Sequence, residues 1–307
     1  MSHKLQLSAS PHIHTKSSTG KIMLDVIIAL FPAFIAGTLL FGARAALVVA
    51  TCIAVSVLSE ALFNIIVKKE QTLGDLSAVV TGLLLGLNLP ANIPLWQAAV
   101  GAVFAIVIVK CCFGGLGCNM VNPAITARVF MVISFGAMAT TAFPVDTMAG
   151  PTPLAVIDRS VMPQLDVLFW GKIGGTIGET CVPALLIGFI YLLVRKVITW
   201  QLPVTYILTS YLFTLAVFDG NAMMALADIM SGGLLLGAIF MATDYVTSPS
   251  TPWGKVIFGV GAGIITVVIR IWGIYPEGVS FAILLMNILN PYIEKWSALK
   301  VFGGKKA

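Results

Sequence analysis

Charge is what this sequence is short of. Only 10% of its 307 residues are Asp, Glu, Lys or Arg, where a soluble domain carries about 25%. Eighteen basic and thirteen acidic residues cannot cover the water-facing surface of so long a chain. That shortage excludes a soluble enzyme and a disordered scaffold. It also excludes a nucleic-acid binder, despite a pI near 9.0. Cysteine is sparse too: five residues, an odd number, most of them inside apolar runs and none in a CxxC pair with zinc spacing. No disulfide framework follows. Cys111, Cys112 and Cys118 lack the familiar iron–sulfur spacings and read as structural thiols. No cleavable leader is indicated either, because the residues before the first apolar run are polar.

What is present is apolar: 58% of the chain, with a mean hydropathy of +0.99. The fold class is therefore an all-α integral membrane protein, since about 20 apolar residues cross a bilayer as a helix. Ten candidate runs occur, near 22–41, 44–67, 75–90, 93–110, 123–141, 180–198, 203–218, 229–243, 255–272 and 278–293. The short runs 75–90 and 229–243 are candidates for broken or re-entrant helices, which survive at membrane depth only when protein covers them. The chain divides into a polar tail (1–21), a first membrane half (22–141), a long polar segment (142–179), a second membrane half (180–293) and a basic end (294–307).

Ten spans put both termini on one side. Thirteen Lys and Arg fall on that side, and four (Arg44, Arg159, Lys172, Arg270) on the other, with Arg128 inside a span. The basic side faces the cytoplasm, so the termini are expected inside and 142–179 outside the cytoplasmic membrane. The halves echo each other faintly. Leu73-Gly74-Asp75-Leu76 precedes Gly82-Leu83-Leu84-Leu85-Gly86, and Leu226-Ala227-Asp228-Ile229 precedes Gly233-Leu234-Leu235-Leu236-Gly237. A five-plus-five repeat would have inverted topology, the usual layout for a site near the midplane.

An ionisable group in hydrocarbon costs at least about 2.5 kcal/mol on insertion scales, so each intramembrane acid needs a partner or water. Asp25 and Asp244 lie near span ends, where solvation suffices. Glu60 is deeper, about two turns from Lys68, and is the best candidate for a buried carboxylate. Asp75 and Asp228 open the repeat-like spans, where acids favour helix starts. Glu60, Asp75 and Asp228 are the candidate ion path. His12 and His14 make a His-x-His pair without a third ligand. Trp170, Trp200, Trp253 and Trp296 sit at span ends, as interface anchors do.

The segment Asp146-Thr147-Met148-Ala149-Gly150-Pro151-Thr152-Pro153-Leu154 presents one hydroxyl, Thr152, between two prolines that restrict the backbone, after a glycine that allows close approach. It reads either as an ordinary loop or as a modification site that another enzyme recognises.

The segment resembles the flavinylation motif of the NqrB/RnfD family, approximately D-G-x-S-G-A-T-P-L. Asp146, Gly150, Thr152, Pro153 and Leu154 match in register, and Thr147, Ala149 and Pro151 depart. Ser10-Pro11-His12-Ile13-His14, the block Gly114-Gly115-Leu116-Gly117-Cys118-Asn119 with Asn122-Pro123-Ala124 and Arg128, and Phe240-Met241-Ala242-Thr243-Asp244 with Thr247-Ser248-Pro249 resemble further family blocks. The absence of the longer extension of the NqrB branch favours the Rnf branch.

The resemblance implies FMN in phosphoester linkage to Thr152, attached by a separate FMN transferase outside the membrane. It also implies a second, noncovalent riboflavin, for which Gly114, Gly115, Gly117, Asn119 and Asn122 would form a backbone cradle; close helix packing is the other reading of those glycines. The implied role is a membrane electron-transfer subunit of an ion-translocating ferredoxin:NAD+ oxidoreductase, coupling electron flow to Na+ or H+ transport. Partners would be membrane siblings, a flavin-bearing external subunit and cytoplasmic NADH- and ferredoxin-side subunits, in membrane lipid and without nucleic acid. No complete activity is expected of the chain alone. A small-solute channel or transporter would share the same spans, and an NqrB-type quinone reductase subunit is the near relative.

Overall fold

The computed structural model describes residues 18–135, 164–273 and 278–298. Among these, every regular element is helical. The long helices are α1 (Thr19–Phe41), α2 (Ala43–Val67), α8 (Gln201–Val217), α11 (Pro252–Trp272) and α12 (Val279–Ser297). Between them come α3 (Ser77–Leu87), α4 (Leu95–Cys111), α5 (Pro123–Ser134), α6 (Leu165–Trp170), α7 (Val182–Val194), α9 (Ala222–Met230) and α10 (Leu234–Met241). The sequence runs find their helices, with different lengths. Only α1, α2 and α11 are long and apolar enough alone to cross a bilayer; α9 and α10 qualify together, bent by 67°. Helix α3 spans 11 residues, about 16 Å at 1.5 Å per residue, half of the roughly 30 Å hydrocarbon core.

The molecule is apolar on its outside, and its mainly apolar core also encloses charged residues. On α1 the exposed large apolar residues are Leu24, Ile28, Phe31, Ile35 and Leu39, a helical stripe; α8 exposes Val204, Leu208 and Leu212, and α11 exposes Ile257, Val260, Ile264 and Val268. Stripes of that size are untenable in water. Glu60, Lys110, Arg128, Glu179, Asp228 and Arg270 are all buried. This arrangement belongs to a multi-pass membrane protein, in which buried charges pair inside the bundle.

The short helices α3 and α10 form the centre; every residue of α10, and all of α3 but Val79, is buried. Backbone contact places α3 there. A Cβ added to Gly82 would meet Ile53 Cα at 2.7 Å and Cys52 O at 2.8 Å, so only glycine lets α3 lie directly on α2. The packing partners follow a pattern: α2 packs on α3 and α4, and α8 on α9 and α11; α4 packs on α5, and α11 on α12; α1 touches α7 and α5 touches α12.

Two helices open into π geometry. Cys112 N bonds Val107 O at the end of α4, and Ala242 N bonds Gly237 O at the end of α10, both five residues back. Such π segments collect at functional sites, and both of these end beside one pocket.

Candidate functional site

The pocket lies where α3, the π end of α4, the start of α5 and the π end of α10 converge, with α1 and the α7–α8 connection as its outer wall. Its free space, open mouth included, is about 780 Å³, of which about 80 Å³ can be occupied by the centres of water molecules. Val26, Val80, Leu84, Leu192, Ile198 and Phe240 supply apolar walls. Ser77, Lys110, Asn119, Asn122, Thr243 and Asp244 supply the polar edge.

Local chemistry fixes each polar group. Gly114, Gly115 and Gly117 have φ of +121°, +100° and +91°, values that other residues rarely adopt. A Cβ at Gly115 or Gly117 would meet nothing within 4 Å, so close packing is not why those two are glycines. They form the turn that brings Leu116 and Asn119 to the pocket, and do not line it themselves. The Asn119 amide donates to Val121 O at 3.1 Å. Asn122 caps α5, its Oδ1 accepting from Ala124 N (3.0 Å) and Ile125 N (3.3 Å), as N-cap side chains do. Its Nδ2 donates to Met241 O at 3.2 Å and ties α5 to the end of α10.

Asp244 follows α10 and lies outside the spans. Its Oδ2 accepts from Thr247 Oγ1 at 3.0 Å. Burial in the pocket wall raises its pKa above the ordinary carboxylate value; the Thr247 hydroxyl and the backbone N–H groups of Val246 and Tyr245 oppose the rise. Asp244 is partly exposed at the edge of the pocket. Asp25 is held by Arg195, at 3.2 Å, and by the Tyr191 hydroxyl at 2.9 Å.

Lys110 closes the inner wall. Its Nζ donates to Glu60 Oε1 at 2.9 Å, Glu60 Oε2 at 3.0 Å and Ser77 Oγ at 2.6 Å. The sequence counted Lys110 among the membrane-flanking basic residues, and the structure corrects that reading by placing it against Glu60. Lys68 is exposed in a left-handed turn ending α2, whereas Lys110 is 2% exposed. Asp75 Oδ1 accepts from Ser77 N and Oγ, serving the start of α3 as expected.

Asp228 does not begin its helix. It sits inside α9, where Arg270 Nη1 donates to its Oδ2 at 3.1 Å and to its backbone O at 2.6 Å, and Thr214 Oγ1 donates to the same Oδ2. Glu60 and Asp75 thus share one network, and Asp228 belongs to another. Removing Lys110 and Arg270 from the flanking charges leaves the side bias intact. Asp146, Gly150 and Thr152 lie outside the described residues, as do His12 and His14.

A second chamber of about 670 Å³ adjoins the first, sharing Val197, Ile198, Thr243 and Tyr245, and is lined further by Thr199, Ser248 and Lys255. Sequence reasoning missed Ser77, Lys110 and Lys255. Only the position of Lys110 at the end of an apolar run could have signalled it.

The geometry gathers at one place the two internal blocks that carry the family resemblance, and comparison with known proteins agrees. A profile of the NQR2, RnfD, RnfE family matches residues 6–303. The chain belongs to that family of membrane proteins. It is 47% identical to the D-type subunit of the Na(+)-translocating ferredoxin:NAD(+) oxidoreductase complex of Acetobacterium woodii, across 98% of this chain and 96% of that protein. It is 39% identical to the D-type subunit of the proton-translocating ferredoxin:NAD(+) oxidoreductase complex of Clostridium ljungdahlii, with the same coverage. With the D-type subunit of the ion-translocating oxidoreductase complex of Marinobacter nauticus it shares 34% identity, over 97% of this chain and 95% of that protein.

Proposed function

We propose that the chain is the D-type subunit of an ion-translocating ferredoxin:NAD+ oxidoreductase in the cytoplasmic membrane, passing electrons through two flavins. One is FMN on Thr152, attached outside by an FMN transferase. The other is a noncovalent flavin, riboflavin by family resemblance, in the pocket between α3, α4, α5 and α10. The other subunits supply the ferredoxin and NAD+ sites, and electron flow drives Na+ or H+ across the membrane. In this reading the chain has ten spans in a five-plus-five inverted repeat, with both termini cytoplasmic. The recurring packing pattern and the side bias of the basic residues support that arrangement.

The observation that carries the proposal is the pocket itself, built from Asn119, Asn122, Pro123 and Ala124 of one family block and Phe240, Thr243 and Asp244 of the other. The donor set suits a flavin. Aliphatic walls match the ring faces, while Asn119, Asn122, Asp244 and the Lys110 ammonium can meet the polar ring edge. A bound flavin supplies one-electron chemistry. The protein's own groups would hold it, with the Lys110 side chain on the inner wall. A phosphoester tether at Thr152 would hold the second flavin at high local concentration without a folded nucleotide domain.

The test is purification of the full-length chain made with its FMN transferase. Ultraviolet fluorescence in a denaturing gel, absent from Thr152→Ala, is expected, together with a second flavin released on denaturation of both proteins. A colourless protein would instead be a solute channel or transporter. Fluorescence surviving Thr152→Ala would move the attachment site elsewhere.

A further inference from the structure

We propose that the hydrogen-bonded run Thr72–Glu60–Lys110 is a proton entry to the pocket, with Lys110 Nζ as its inner donor. The inference rests on the flavin reading of the pocket and assigns what that reading leaves open: how a proton accompanies the electron into a buried site.

The run is continuous. Thr72, exposed on the turn before α3, donates its hydroxyl proton to Glu60 Oε1 at 2.8 Å. Asn64 Nδ2 donates to the Thr72 oxygen at 3.2 Å, which leaves the Thr72 proton for Glu60. Glu60, 3% exposed, meets Lys110 at 2.9 Å, and Lys110 reaches the pocket wall. Each link is within hydrogen-bond reach, the geometric requirement for proton transfer. A side branch leaves Lys110 through Ser77 Oγ (2.6 Å) to Asp75 Oδ1 (2.5 Å). The other titratable groups around the pair are the Cys111 thiol beside it in the chain, with Cys112 and Lys69 beyond. Asp244 lines the same pocket.

A pair serving stability alone has no need of either end. Asp228 and Arg270 are a second buried pair, bonded to Thr214 and to the backbone carbonyls of Asp228 and Ser231. Glu60 and Lys110 are equally buried, and their network begins at a surface residue, Thr72, and ends at a residue lining a cavity.

An electron comes from a one-electron donor of the oxidoreductase, a reduced flavin or iron–sulfur centre. One Lys110 N–H would turn from its shared contact with the two Glu60 oxygens toward the pocket and give its proton to the acceptor atom that a reduced ligand would present, leaving a neutral amine. The Glu60 carboxylate takes the Thr72 hydroxyl proton and passes it to Lys110, while Thr72 regains one from a water molecule, whose hydroxide is left to the bulk solvent. The net uptake is one proton from water for one electron, so the low-dielectric pocket gains no uncompensated charge.

The experiment uses the full-length chain made without its FMN transferase, purified in nanodiscs with only noncovalent flavin. The flavin is photoreduced in weak buffer, and a pH dye and flavin absorbance are followed together. Thr72→Val and Glu60→Gln are expected to slow proton uptake more than about tenfold at unchanged flavin content, with Thr72→Ser keeping the wild-type rate. Azide, a small diffusible acid, should restore uptake in Glu60→Gln. Wild-type uptake rates in Thr72→Val overturn the inference even if Glu60→Gln fails to fold, because Thr72 lies at the surface. A wild-type chain that releases no flavin overturns the pocket reading first and this inference with it.

Discussion

The ends of α4 and α11 carry the same device in two states. Each helix places one basic residue in its last turn, Lys110 and Arg270, and buries it against an acid. At α11 the guanidinium spans Asp228 Oδ2 and the carbonyls of Asp228 and Ser231, sealing the break between α9 and α10. At α4 the ammonium holds Glu60 and Ser77, where α3 begins. One pair is enclosed, the other borders a cavity and connects to the surface. The difference teaches that burial of an ion pair in this bundle does not by itself mark a path. Access at both ends does, and the α4 pair has it.

Breaking the enclosed pair should have the largest effect. Arg270→Met takes the guanidinium away from the buried Asp228 carboxylate, and removing one partner of such a pair costs about 3–5 kcal/mol. The expected outcome is a thermal midpoint in detergent far below wild type, or loss of the inserted protein. Lys110→Met should cost less, about 1–3 kcal/mol, because water entering from the pocket can solvate Glu60. Its main result should be pocket chemistry: slowed proton uptake and weaker flavin retention on gel filtration. Equal destabilisation by the two changes would erase the distinction between closed and open pairs.

A smaller effect tests the pocket's rim. Gly115→Ala at φ +100° stores about 1–3 kcal/mol of backbone strain although the added methyl meets nothing. Relief of that strain would shift Asn119 and loosen the ligand. Flavin retention is expected to fall in this variant, with the closed Asp228–Arg270 site untouched.

These contrasts show which parts of the molecule could be read from the sequence. The helices were legible because lipid demands long apolar runs, and the break near 229–243 because Ser231-Gly232-Gly233 interrupts one. Glu60 was legible as a buried acid from its depth in a run. Its partner was not, since Lys110 is fifty residues away in the chain and looks, from its position at the end of a run, like an interfacial charge. The glycines of the 114–117 turn were legible as special, but not their purpose: close packing and positive φ call for the same residue. Asp228 misled for a related reason, because an acid two residues before the end of one short helix and shortly before the next resembles a cap until Arg270 is seen beside it.

The smallest expected effect concerns the pocket's other wall. Burial raises the Asp244 pKa above its ordinary value of 3.8, against the pull of its hydrogen bonds. Between those two values the folded chain holds a proton that the unfolded chain has released, so stability falls as pH rises through that window. Asn at this position stays neutral throughout. Asp244→Asn should therefore match wild type at acid pH and become the more stable protein as pH rises past the elevated folded pKa, as read from thermal midpoints between about pH 4 and 8. Lys110 is not among the groups that move Asp244, so the same pH trend should persist when Asp244→Asn is combined with Lys110→Met. A trend that vanishes in the double variant would mean that the two walls titrate together, and the pocket would then have to be treated as one coupled charge system in which the α4 network extends across to the α10–α11 loop.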